Sequence, residues 1–170
     1  IAIATAGIIV GAVGSTGLST NLIIVIESIA KDNIVILLFL TIILCLLLGM
    51  GLPTTANYVV VASLMAAVLV EVGAASGFIF PLIAVHLFVF YFGLMADVTP
   101  PVGLASYAAA AISGGDPLRT GMQAFWYSLR TAILPIVFLF NHELLLIGIE
   151  NIWHGLLVIA TSLIGILIFT

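Results

Sequence analysis

Two short stretches, GMGLPTTAN at residues 49–57 and DVTPPVG at residues 97–103, interrupt a chain that otherwise consists of long apolar runs. Neither stretch suits the middle of an uninterrupted helix, because proline lacks a backbone donor and clashes with the preceding turn. A lipid bilayer accepts open backbone only where protein or a water-filled cavity receives its polar groups. Paired breaks of this kind are typical of solute and ion sites near the middle of a membrane, so the sequence predicts such a site.

The composition indicates an integral membrane protein. Of 170 residues, 64% are hydrophobic and 6% are charged, and the formal net charge is −4. Soluble domains carry about 25% charged residues. The 3 lysine and arginine residues form no basic patch, which argues against nucleic-acid binding. The single Cys45 lies in a Leu- and Ile-rich run, where we expect a small buried side chain.

The chain starts inside an apolar run, without an initiator methionine or a charged leader, and we interpret it as the C-terminal part of a longer membrane protein. Residues 1–30 are long enough to span a bilayer. Gly7, Gly11 and Gly14 would share one helical stripe suited to close helix contacts. The GSTG cluster at residues 14–17 would instead divide the segment into two shorter helices, and both interpretations stay open.

A hairpin is predicted over residues 34–71. The polar residues 31–33 offer a helix cap, and an apolar arm follows over residues 34–48. This arm is about 23 Å long, shorter than the roughly 30 Å hydrocarbon core. A second arm runs over about 58–70. Two short arms around an uncharged tip favour a re-entrant hairpin, and two ordinary spanning helices with a tight loop are the alternative.

A broken helix is predicted over residues 78–112, with its gap at the second proline-containing stretch. A polar loop follows, in which Asp116 caps a helix that has Pro117 in its first turn. Terminal helices cover about 120–169. The first of them runs to about residue 148 and is either kinked at Pro135 or tolerates it.

Orientation is indicated by few charges. The positive-inside rule places Arg119 and Arg130 near the cytoplasm, so the hairpin would enter from outside, although Lys31 opposes this. Trp126 and Tyr127 fit interfacial anchors. Arg130 fits a side chain that reaches the interface, with binding of a substrate carboxylate as the alternative.

Oxygen donors lie at both breaks. Thr54, Thr55 and Asn57 supply them at the first break, and Thr99 supplies them at the second, together with the carbonyl groups that precede the two prolines. Sodium is bound by several oxygens, including carbonyls of unwound helices, whereas a helix N-terminus suits a carboxylate. The two breaks together therefore predict a cation site beside a solute site.

Asp97 is the only acidic residue well inside an apolar segment. Such residues bind ions, relay protons or cap a half-helix, and all three roles stay open. His86 lies about three turns earlier, roughly 16 Å away, too far for direct proton exchange with Asp97. We therefore expect a hydrogen-bonded interior histidine. An intramembrane enzyme using Asp97 and His86 is an alternative, as is a channel or a structural membrane module.

The sequence resembles the large membrane subunit of tripartite ATP-independent periplasmic (TRAP) transporters. The likeness rests on GMGLPTTANYVV at residues 49–60, AVHLFVFYFGLMADVTPPVGLASYAAAAISGGDPLRTG at residues 84–121 and FLFNHELLLIG at residues 138–148. The variety that it resembles most is the fused permease, in which small and large subunits form one polypeptide.

The resemblance implies an all-α, multi-pass protein of the bacterial or archaeal cytoplasmic membrane. It implies sodium-driven, elevator-type import of organic acids delivered by a separate periplasmic binding protein. Residues 1–170 would be the C-terminal half of the large-subunit domain and the second of two inverted repeats. Its partners would be the first repeat, the small-subunit region, the binding protein, a small organic anion and the bilayer, with no cofactor besides the coupling sodium. The particular acid stays open among sialic acid, dicarboxylates, oxo acids and other organic anions.

The resemblance also implies the site residues. Sodium would be held by Thr54, Thr55, Asn57 and Thr99 together with backbone carbonyls. The ion and substrate site would comprise Thr54, Thr55, Asn57, Thr99, Pro100 and Gly103 from the resemblance, together with Gly51, Pro53, Asp97 and Pro101 from the two breaks themselves.

Overall fold

The computed structural model describes residues 8, 11, 12, 15–17, 21, 24, 25, 28–30, 33–49, 54–101 and 103–169. Within these residues the secondary structure is helical and no strand occurs. From residue 33 onward the elements are α1 (Ile34–Gly49), α2 (Thr54–Ala75), α3 (Leu82–Ala96), α4 (Leu104–Ser113), α5 (Pro117–Ser128), α6 (Ile133–Phe140), a 3₁₀ helix (His142–Leu145) and α7 (Ile152–Phe169). The all-α prediction is confirmed for the described residues.

Helix α1 begins where the polar residues predicted a cap. The side-chain oxygen of Asn33 accepts hydrogen bonds from the backbone N–H groups of Val35 and Ile36 at 3.0 and 3.3 Å. These bonds satisfy two of the donors that a helix N-terminus leaves unpaired. With 16 residues, α1 is about 24 Å long and agrees with the first predicted arm.

Helix α2 is longer than the second predicted arm. It has 22 residues, about 33 Å, and extends beyond both ends of the predicted 58–70 segment. The prediction that both arms are too short to span was therefore wrong for the second arm. Glu71 is exposed and lies within the helix, and Gly73 is also helical, with the Phe80 ring packed beside it.

The turn between α2 and α3 is fastened by three aromatic rings. Residues 78–80 are not helical, and α3 starts only after the extended Pro81, later than predicted. Phe78 stacks on Phe80 with ring centres 6.0 Å apart, and both rings meet Phe140 edge-on at 5.6 and 5.7 Å. The start of α3 is thereby held against the end of α6.

The core lies among α1, α2 and α3. Its largest fully buried side chains on these helices include Leu37, Val61, Met65, Leu69 and Phe88. Helix α6 packs on the outside of α3, and α4 packs mainly on α5. Two described helical segments, Thr54–Ala75 and Pro117–Phe140, are long and apolar enough to cross a membrane, judged by length and composition.

The predicted terminal helix that would run to residue 148 is divided instead. Asp116 accepts a hydrogen bond from the Arg119 N–H at 2.8 Å with Pro117 in the first turn of α5, as predicted. The α5 helix ends at Ser128, about two turns before the expected kink at Pro135. Pro135 has no N–H to donate to the carbonyl of Thr131, so its effect appears upstream of the proline itself.

The last helix is anchored at its first turn. Asn151 accepts a hydrogen bond from the His154 N–H at 2.8 Å, and the His154 ring lies 3.3 Å from the Glu143 carboxylate in the 3₁₀ helix. Helix α7 occupies nearly the span predicted for the last apolar segment. The expectations for Gly7, Gly14 and Lys31 fall outside the described residues.

Gly73 provides a test of this packing. A Cβ atom there would lie 2.7 Å from the Phe80 ring, so Gly73→Ala should lower the free energy of unfolding by about 1–3 kcal/mol. The midpoint of thermal unfolding of the detergent-purified protein measures this. Gly165→Ala in α7 is the matched control, because no atom lies within 4 Å of its Cβ position. Equal losses in both variants would contradict the packing described here.

Candidate ion and solute site at the paired helix breaks

The second break begins with tightened turns at the end of α3. The N–H groups of Asp97, Val98 and Thr99 donate to carbonyls three residues earlier, at 3.2, 3.2 and 3.3 Å. The Thr99 hydroxyl donates to the Met95 carbonyl at 2.6 Å. The lone pairs of the Thr99 hydroxyl oxygen stay able to accept, while its proton satisfies the backbone.

The gap between α3 and α4 is short and closed. The Ala105 N–H donates to the Asp97 carbonyl at 3.1 Å, which joins the first turn of α4 to the end of α3. A Cβ at Gly103 would lie 3.1 Å from that same carbonyl and 3.0 Å from the carbonyl carbon of Val98, so the approach requires glycine. Two helix ends thus lie side by side at this point.

Helix α5 closes the outer side of the break. A Cβ at Gly121 would lie 3.4 Å from the Pro100 ring and 3.5 Å from the Ser106 side chain. Ser106 is 3% exposed, and its hydroxyl has no hydrogen-bond partner among the described residues. The Tyr107 hydroxyl donates to the Pro101 carbonyl at 3.2 Å.

The first break meets the second. Thr54, at the start of α2, lies near the Asp97 carboxyl group. Gly49, at the end of α1, lies so close to Ala96 and Asn57 that a Cβ on it would overlap both. The helix ends that flank both breaks therefore converge on one junction.

Asn57 lies inside this junction and is 1% exposed. Its amide nitrogen donates to the carbonyls of Gly93 at 3.2 Å and Cys45 at 3.4 Å, so it bonds α3 and α1 from α2. The absence of side chains at Gly93 and Gly49 admits the amide between the helices. The amide oxygen has no partner among the described residues.

The predicted site residues are brought together only in part. Thr54, Asn57 and Asp97 lie at the junction, whereas Thr55 is exposed. Gly51 and Pro53 lie outside the described residues. The sodium role of Thr54, Thr55, Asn57 and Thr99 remains a prediction.

His86 has the partner expected of an interior histidine. Its ring nitrogen Nδ1 lies 3.0 Å from the Tyr58 hydroxyl, which confirms a hydrogen-bonded side chain. Sequence reasoning did not find Tyr58 as the partner, nor did it find the buried Ser106. Tyr58 and His86 are 28 positions apart, and Ser106 lies against Gly121 of the following helix, so no local pattern predicts either contact. The polar side chain next to an assigned motif was the available signal.

The junction offers hard oxygen ligands rather than a transition-metal site. Thr54 and Asp97 bring a hydroxyl and a carboxylate, and Asn57 brings an unpaired amide oxygen. No group of three or more His, Cys, Asp or Glu side chains able to hold a metal occurs among the described residues. Oxygen-only donor sets suit alkali and alkaline-earth cations.

The comparison with protein families decides the identity of the chain. The sequence model described as "Tripartite ATP-independent periplasmic transporter, DctM component" matches residues 1–153. The chain belongs to the DctM family. It is therefore a TRAP transporter permease component, as the motifs at both breaks indicated. No curated protein and no solved structure shows a significant match to it.

DctM membership bears on the alternatives. A transporter family favours a permease over an intramembrane enzyme that uses Asp97 and His86. As a DctM component of a tripartite transporter, the chain is one of several parts of that transporter.

Asn57→Asp tests the junction. The isosteric change turns a donor into an acceptor that faces the carbonyls of Gly93 and Cys45, so we expect a loss of about 1–3 kcal/mol in stability. Thermal unfolding in sodium-free buffer measures the loss. Asn151→Asp is the matched control, because the side chain of Asn151 acts as an acceptor, which aspartate preserves. A variant as stable as the control would argue against the amide contacts.

Proposed function

We propose that this DctM chain forms part of a sodium-coupled permease that imports organic acids delivered by a periplasmic binding protein. The observation that carries the proposal is the junction of the two breaks. There the buried amide oxygen of Asn57 lacks a partner, and Thr54 neighbours the Asp97 carboxyl group. A polar atom left unpaired in a buried place is destabilising by about 1–3 kcal/mol, and a bound cation would supply the missing partner.

The cation in this proposal is sodium. Its ligands would be oxygens of Thr54, Thr55, Asn57 and Thr99 together with backbone carbonyls freed at the two breaks. Sodium loses its hydration shell readily to several neutral oxygens, and carbonyl groups at helix ends have the polarity that it requires. Asp97 would add a negative charge to the site or transfer a proton. Cation binding at the junction would connect the tip of the hairpin to the broken helix.

The solute would bind next to the cation. The N-terminus of α4 has no side-chain cap, and the positive end of a helix dipole attracts a carboxylate. Organic acids carry that group. The remainder of the permease, with the first repeat and the small-subunit region, would supply the opposite wall and the scaffold for elevator-type movement.

The membrane arrangement is part of the same proposal. Helices α1 and α2 would form a re-entrant hairpin that enters from the periplasmic side of the inner membrane. The 16-residue length of α1 supports this, because about 24 Å is too short for the hydrocarbon core. Helix α2 is longer and would need to tilt or reach beyond the core at its far end.

Alanine substitutions at Thr99 and Thr55 test the sodium site. Each should raise the sodium concentration that gives half-maximal uptake about ten- to a hundredfold, because a lost ligand to a charged group weakens binding by about 1.5–3 kcal/mol. The measurement is solute uptake into vesicles that contain the intact permease, with its binding protein and a sodium gradient.

Thr161→Ala is the control for these two variants, since its hydroxyl donates within α7, far along the chain from both breaks. Unchanged sodium dependence in Thr99→Ala and Thr55→Ala would refute the ligand assignment. Uptake by the parent protein that needs neither sodium nor the binding protein would favour a channel.

A further inference from the structure

A second polar contact joins α2 to α3 close to the junction. The Tyr58 hydroxyl lies 3.0 Å from Nδ1 of His86, and the Tyr58 ring meets the Phe90 ring edge-on with centres 5.7 Å apart. Both polar side chains are half-buried between helices whose other contacts are largely apolar. The chain thus places a tyrosine–histidine hydrogen bond, in addition to that of Asn57 with the Gly93 carbonyl, in an interface that is largely apolar.

The contacts between α2 and α3 follow one antiparallel alignment. Thr54 neighbours Asp97, Asn57 bonds the carbonyl of Gly93, and Tyr58 reaches back to His86. Later residues of α2 thus contact earlier residues of α3. The first two contacts lie in one register of the two helices, and the long side chains of Tyr58 and His86 add a third contact between positions further apart along them.

Apolar packing alone specifies that register weakly. In a membrane, the hydrophobic effect does not drive helices together, because lipid tails are as apolar as leucine. Polar groups at an interface are what select one alignment over its neighbours. A slip by one helical turn moves a residue about 5.4 Å, which would carry Thr54 away from Asp97.

We propose that Tyr58 and His86 are positioning residues for the ion site. Their hydrogen bond fixes α2 on α3 in the register that sets Thr54 beside Asp97. The pair acts through Thr54 and Asp97 and does not itself contact the ion. Its effect on transport rests on the proposed sodium coupling, whereas its effect on register does not.

The hydroxyl of Tyr58 and the ring of His86 can be removed without disturbing the apolar packing greatly. Tyr58→Phe keeps the ring against Phe90 and loses only the hydroxyl. His86→Asn keeps a polar atom near the position of Nδ1, and His86→Ala removes it. Tyr91→Phe is the matched control, because the Tyr91 hydroxyl on the same helix has no hydrogen-bond partner among the described residues.

The first measurement reads the register directly. Cysteines at Thr54 and Asp97 are introduced in the intact permease after Cys45→Ala, which preserves the backbone carbonyl that Asn57 uses. The rate of joining by a short thiol cross-linker should fall about three- to tenfold in Tyr58→Phe and His86→Ala, within the range of interhelical hydrogen-bond strengths in membranes. The rate should be largely restored in His86→Asn and unchanged in Tyr91→Phe. Equal rates in Tyr58→Phe and Tyr91→Phe would overturn the proposal.

The second measurement reads the ion site, with Thr54 and Asp97 intact. Tyr58→Phe and His86→Ala should each raise the sodium concentration for half-maximal uptake about three- to tenfold, while uptake at saturating sodium and the amount of permease in the membrane stay near the parent values. The double variant should show no further rise, because both changes remove one interaction. A fall in saturated uptake with no change in sodium dependence would overturn the link to the ion.

The two measurements separate the two proposals. A parent protein without sodium-dependent uptake refutes the proposed function, and the cross-linking rates still decide the role of Tyr58 and His86 in register. Normal sodium dependence with unchanged cross-linking refutes the positioning role alone.

Discussion

Open backbone at helix ends is the constraint on which the rest of this structure depends. Where α1 ends and where α3 gives way to α4, peptide groups are left that need polar partners, and a lipid bilayer could not supply them. The structure meets this requirement by bringing the interruptions to one junction. Glycine at positions 49 and 93 lets three helices approach closely enough to enclose the Asn57 amide, which then donates to two main-chain carbonyls. The small residues and the buried amide thus form one arrangement.

The positions of helices and breaks could be predicted from sequence because they follow from local chemistry. Capping residues such as Asn33 and Asp116 and the prolines act within a turn or two, so their effects appear in the residues themselves. The length of α2 and the division after Ser128 could not be predicted in the same way. Helix α2 continues through Gly73, beside which the Phe80 ring packs. The division after Ser128 reflects a proline that leaves a carbonyl one turn upstream without its helical partner.

The candidate site could likewise be predicted only in part. Oxygen-bearing residues at the breaks could be identified from sequence, because cation chemistry restricts the choice of side chains. Their mutual arrangement could not, since the contacts of Asn57 and Tyr58 join residues 36 and 28 positions apart in the chain. Thr54 and Thr55 show most clearly that the sequence could not predict which side chains face the site. The two are neighbours with the same side chain, but they face different directions around the first turn of α2.

The contact of Gly121 with Pro100 has a mechanical consequence. Helix α5 touches the proline ring at the break without an intervening side chain, and the same glycine lies against Ser106 in the first turn of α4. A displacement of α5 toward this surface therefore meets the Pro100 ring directly, without a flexible side chain between them to absorb the movement. Movement of α5 is therefore transmitted to the break at Pro100 and to the first turn of α4 at Ser106 together.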